Sequence, residues 1–156
     1  MKRYLKYIII AVLVITFTAI YITLGSNKLI KTDHTDDVLN YMFEMRIEHP
    51  YIVYAQAMIE SNNFQSKIYR ENNNMFGMKM PERRATLAIG INRGHAVYRD
   101  WRECVIDYAL YQMAYKKGMT EEEYLQSLKG YASDTTYIHK VRLLKEKIIK
   151  ERYYVS

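Results

Sequence analysis

The carboxylate of Glu60 closes an otherwise apolar run, Tyr51-Ile52-Val53-Tyr54-Ala55-Gln56-Ala57-Met58-Ile59-Glu60-Ser61. A carboxyl group beside apolar neighbours must be exposed, paired or protonated, because an isolated charge there is costly. Apolar surroundings let a carboxyl keep its proton to higher pH, which suits a general acid working near neutrality. The alternative is an idle, exposed Glu at a frayed helix end. Other reactive residue types are sparse. Cys104 stands alone and reads, within Trp101-Arg102-Glu103-Cys104-Val105-Ile106-Asp107-Tyr108, as a small apolar residue on a helix face rather than a catalytic thiol. His34, His49, His95 and His139 lack the spacing of a zinc site, so neither metal nor cofactor is expected.

Helices must position Glu60. Val38, Leu39, Met42 and Met45 recur at helical spacing from Thr35 onward, and Pro50 ends that helix and opens the next. The second helix runs to Ser61, where Asn62 and Asn63 break it. A polar stretch leads through Arg70-Glu71-Asn72-Asn73-Asn74 to Phe76-Gly77. Residues 80–99, with Pro81, Gly90, Gly94 and the alternating Ala96-Val97-Tyr98, predict a β-hairpin. Asp100 to Lys116 returns to helix and stops at Gly118. Thr120 with Glu123 makes a capping box for the next helix. Asp134 or Thr135 then caps a final helix carrying Ile138, Val141, Leu144 and Ile148 on one face. The expected fold class is α+β and predominantly helical, a lysozyme-like domain in which a cleft separates one small hairpin lobe from the helices.

Ahead of this domain, Ile8 to Leu24 reads IIIAVLVITFTAIYITL without a charge. Extended to residues 7–25, it meets the ~20 residues that a membrane-spanning helix needs. Lys2, Arg3 and Lys6 precede it, which favours a cytoplasmic N-terminus and a domain on the extracytoplasmic (periplasmic) side. A cleavable signal peptide would have a shorter apolar core and a small-residue cleavage site, whereas the run here leaves through Tyr-Ile-Thr-Leu-Gly-Ser. The expected organisation is a single-pass signal-anchor in residues 1–27 and one domain in residues 28–156.

The formal charge of the 156-residue chain is +6, from 23 basic and 17 acidic side chains. Three of the basic ones precede the apolar run, leaving a balance of +3 beyond it. That bias is compatible with an anionic polymer such as the cell wall. No basic stripe is present, so nucleic acid is not an expected partner.

Two segments together resemble a known family. Ala55-Gln56-Ala57-Met58-Ile59-Glu60-Ser61, followed by Asn72-Asn73-Asn74-Met75-Phe76-Gly77-Met78-Lys79, is similar to the glucosaminidase domains of glycoside hydrolase family 73. Two further matches follow in order: Tyr98 to Tyr111, like the family's aromatic-rich helix start, and Tyr131-Ala132-Ser133-Asp134-Thr135-Thr136-Tyr137 with Lys140-Val141, like its close. The resemblance covers about residues 50–142. It implies a peptidoglycan hydrolase that cuts the β-1,4 bond of the glycan strand, in the manner of an N-acetylglucosaminidase, with Glu60 as general acid. It also implies that Asn73, Asn74, Phe76 and Gly77 shape the cleft floor, and that Asn73, Phe76, Tyr131 and Tyr137 contact substrate. Packing is the competing role for each of them, and a tight turn for Gly77.

One departure from the family pattern matters. Many members carry a second carboxylate in the hairpin, where this chain reads Thr86-Leu87-Ala88-Ile89-Gly90. A two-carboxylate mechanism is therefore not expected, and the substrate's own 2-acetamido group is the expected nucleophile. A lytic transglycosylase, which also needs a single Glu, and a catalytically degenerate wall-binding module tethered to the membrane are the alternatives.

Overall fold

The computed structural model describes residues 34–129 and 136–154. Six helices surround a two-stranded hairpin among the described residues. They are α1 (His34–Glu44), α2 (Pro50–Glu60), α3 (Lys67–Asn72), α4 (Trp101–Tyr115), α5 (Glu121–Gln126) and α6 (Tyr137–Tyr154); β1 (Gly90–Asn92) and β2 (His95–Val97) lie between α3 and α4. The architecture is mostly helical with one small antiparallel sheet, as the periodicity predicts. None of these helices is long and apolar enough to cross a membrane. The anchor predicted in residues 7–25 lies outside the described residues, as does Tyr131.

Helix α2 is central. Ile52 through Ala57 are all buried, so this helix is covered on every side, and all of these residues but Gln56 are apolar or aromatic. It packs against α6. Its side chains join Val38 and Met42 of α1, Val105 and Tyr108 of α4, Tyr124 and Leu125 of α5 and Val141 of α6 in one core. Pro50 occupies the first turn, as expected, but α1 ends before it, at Glu44. Arg46 takes a positive φ of 52° and its N–H bonds to the Phe43 carbonyl, closing the helix in a turn well short of the proline. Asn62, Asn63 and Phe64 all have positive φ, which stops α2 directly beyond Glu60. The expected capping box forms, and Asp100 adds a cap at the start of α4. Asp100 accepts from the backbone N–H of Arg102 and Glu103, and Thr120 and Glu123 cap α5 reciprocally.

Two expectations need correction. The polar stretch before Asn73 contains a short helix, α3, whose N-cap Ser66 accepts from the Tyr69 N–H. The hairpin is also much shorter than residues 80–99. Its strands pair Gly90 with Val97, Ile91 with Ala96 and Asn92 with His95. The two-residue turn between them, Arg93-Gly94, has φ of 54° and 75°, the positive pair that closes a hairpin without splaying it. Residues preceding β1 are diverted from the ladder because side chains capture their backbone. The Leu87 N–H donates to Asp107 Oδ1 and the Ala88 N–H to Thr86 Oγ1.

Candidate active site

Glu60 is the last residue of α2 and stands half-buried at the rim of a cleft of about 470 Å3. The facing walls come from three segments: Gly77, Met78, Lys79 and Pro81 after α3, Arg84 and His95 of the lobe, and Tyr108, Tyr111 and Tyr115 of α4. The hydroxyl of Tyr137, at the start of α6, donates to Glu60 Oε1 at 2.7 Å. Tyr137 is only 4% exposed, so the packing of α6 on α2 carries this hydroxyl to the carboxyl.

The run of three asparagines assembles the lobe. Asn72 Nδ2 donates to the Asn92 carbonyl, and Asn92 Nδ2 returns a bond to Asn72 Oδ1. Asn73 sits at a positive φ of 53°, a conformation asparagine tolerates, and its Nδ2 donates to the carbonyls of Tyr98 and Arg99. Asn74 Nδ2 donates to the carbonyls of Met78 and Ala96, while its Oδ1 accepts from the Met78 N–H. Each side-chain amide thus ties together backbone of different segments of the lobe. Gly77, at φ 63°, then turns the chain along the cleft wall.

The predicted contact residues divide accordingly. Phe76 lines the cleft, yet it is 1% exposed and its ring stacks on Tyr108 at 4.0 Å, which makes it floor. Asn73 does not line the cleft, and its amide is engaged on the lobe's own backbone. Tyr137 is also absent from the lining and meets Glu60 from beneath.

Among the described residues, Glu60 is the one carboxylate that lines this cleft. The remaining acids near the lobe are placed for other work. Glu71 pairs with Arg93 at 2.6 Å, Asp100 caps α4, and Glu82 is exposed. Asp107, on α4, is fully buried and bridges to Arg84 at 2.8 Å. It also accepts from the Tyr98 hydroxyl at 2.8 Å. Burial by itself would push Asp107 up. The hydrogen bonds from Arg84, Thr86 and Tyr98, together with the Arg84 charge, outweigh burial and hold the carboxyl below its ordinary range.

Sequence reasoning missed this Arg84–Asp107 pair, because nothing in residue type marks two charges 23 positions apart as partners. It also passed over Tyr115. A signal was present there, since Tyr108, Tyr111 and Tyr115 recur at i, i+3 and i+7 on one helix face.

Residues 36–150 match the glucosaminidase family, described as mannosyl-glycoprotein endo-beta-N-acetylglucosaminidase. Among solved structures, the catalytic domain of the autolysin Auto from Listeria monocytogenes is similar in fold. The TM-score is 0.52 at 22% identity, over 72% of this chain and 81% of that one. No match is found among curated proteins. With the family match spanning most of the chain, from α1 through the helix that bears Glu60 to the helix that bears Tyr137, this protein belongs to the glucosaminidase family, glycoside hydrolase family 73.

Proposed function

We propose that the domain is a peptidoglycan hydrolase that cleaves a β-1,4 bond of the glycan strand as an endo-β-N-acetylglucosaminidase, with Glu60 as acid and base. The observation that carries this reading is Glu60, the one carboxylate on the cleft wall among the described residues, held through Oε1 by the Tyr137 hydroxyl. With Oε1 engaged, the transferable proton resides on Oε2. Glu60 gives it to the glycosidic oxygen as the bond from that oxygen to C1 breaks. The carbonyl oxygen of the 2-acetamido group closes onto C1 from the opposite face. Water then opens the resulting ring, losing its proton to Glu60, which restores the starting state. Such acid–base participation contributes about 10²–10⁴ in rate.

The test is zymography of the full chain on purified sacculi, with mass spectrometry of the products. Reducing N-acetylglucosamine ends are expected. Anhydro-sugar ends would make it a lytic transglycosylase instead, and intact sacculi would leave a wall-binding module. A mannose-bearing glycoprotein, the substrate in the family's description, belongs in the same assay and is expected to stay uncut.

The uncharged run in residues 7–25 supports placing the protein as a single-pass anchor in the cytoplasmic membrane, with the domain on the extracytoplasmic side. Retention in the membrane fraction through an alkaline carbonate wash is expected. Recovery of a soluble mature protein starting near residue 26 would replace the anchor with a signal peptide.

A further inference from the structure

Resting on the glycan-strand reading above, we propose that Tyr111 and Tyr115 form an aromatic track along α4 that binds sugars of the strand beyond those flanking the scissile bond. Tyr108, Tyr111 and Tyr115 all line the cleft that Glu60 lines. Their ring centroids follow one another at 5.5 and 5.4 Å. From Tyr108 to Tyr115 the helix rises about 10 Å, so the series runs along the cleft instead of crowding one point of it.

Exposure is graded along this series. Tyr108 is 1% exposed, stacks on Phe76 and donates to Gln56 Oε1, so its ring is fixed as floor. Tyr111 is half-buried. Tyr115 is 53% exposed, a large ring left uncovered on the wall of a cleft. The fold does not require Tyr115 to be aromatic, since no core forms over it. A pyranose suits such a ring. Its apolar C–H face covers the π-face while its hydroxyls remain at the wet rim, where the phenol oxygen also lies. Rings in series match a polymer of repeating sugars, and they favour a long strand over a short oligomer.

The experiment uses the full chain carrying Glu60→Gln, which binds without cutting, and N-acetylglucosamine oligomers of three and six sugars. Calorimetry is expected to show tighter binding of the longer oligomer. Adding Tyr115→Ala is expected to abolish that preference, weakening the longer oligomer about tenfold and leaving the shorter one unchanged. Tyr115→Phe keeps the ring and is expected to keep the preference. With Glu60 restored, Tyr115→Ala is expected to raise KM on solubilised glycan strands and leave kcat within about twofold. The track is overturned by the absence of any length preference, by its survival in Tyr115→Ala, or by an equal loss in Tyr115→Phe. Failure of the unsubstituted chain to cut peptidoglycan would sink the hydrolase reading itself, whereas loss of the track leaves that reading intact.

Discussion

The Tyr137 hydroxyl lies 2.7 Å from Glu60 Oε1, joining residues 77 positions apart at the junction of α2 and α6. A hydroxyl that donates to one carboxyl oxygen fixes the group's rotation and directs the other oxygen toward whatever occupies the cleft. The same bond explains how a carboxyl is accommodated at the end of a helix as apolar as α2: it is half-buried, and it is paired.

Glu60→Gln preserves size and hydrogen bonding but has no proton to transfer. Lytic activity is expected to fall by about 10²–10⁴, with an unchanged circular dichroism spectrum. Retention of wild-type turnover would end the assignment of Glu60.

Tyr137→Phe keeps the buried ring and removes only the hydroxyl. Hydrogen bonds to charged groups are worth about 1.5–3 kcal/mol, so kcat is expected to drop roughly tenfold to a hundredfold. KM should hardly move, and the circular dichroism spectrum should be unchanged. A loss of folding with an unchanged kcat for the protein that remains folded would make Tyr137 structural only.

Asp107→Asn leaves the Arg84 guanidinium buried without a counter-charge. Breaking such a pair costs about 3–5 kcal/mol, measurable by urea denaturation at pH 7. The pH dependence has a definite sign. Asp107 ionises at lower pH when folded than when unfolded, so its stabilisation is complete above about pH 4. It is lost as pH falls through the folded value. The gap between wild type and variant should therefore be constant from neutral pH down to about 5 and narrow below about 4. A gap that widens in acid would contradict the arrangement.

If the acetamido group is the nucleophile, Glu71→Gln, Glu82→Gln and Asp100→Asn should each keep measurable activity. Glu82 is the one to test first, because it is exposed on the segment leading into the lobe. A second catalytic carboxylate would raise the barrier by several kcal/mol when removed, at tenfold for each ~1.4 kcal/mol. A folded Glu82→Gln as inactive as Glu60→Gln would refute the single-carboxylate mechanism.

Burial pushes the Cys104 thiol up to about 12, so at neutral pH it stays protonated within the core. Native protein should resist thiol-directed reagents, with modification appearing only at denaturant concentrations that unfold it. Rapid labelling of the folded chain would show that α4 opens.

By itself the sequence determined the longer helices, the capping box at Thr120, and the helix that ends in Glu60. These depend on short-range periodicity and on side chains reaching a backbone only a few residues away. It also carried the family motifs, and with them Glu60 as the residue to test. The tertiary structure decided where the remaining side chains act. It alone brought Tyr137 under Glu60, engaged Asn73 on the lobe's own backbone and buried Phe76 against Tyr108. It limited the hairpin to two three-residue strands, because Asp107 and Thr86 capture the backbone just before them. It paired Arg84 with Asp107, and it left Tyr115 uncovered in the cleft. Local propensity is written into neighbouring residues. A contact between distant residues depends on how the helices pack, and no single segment contains that information.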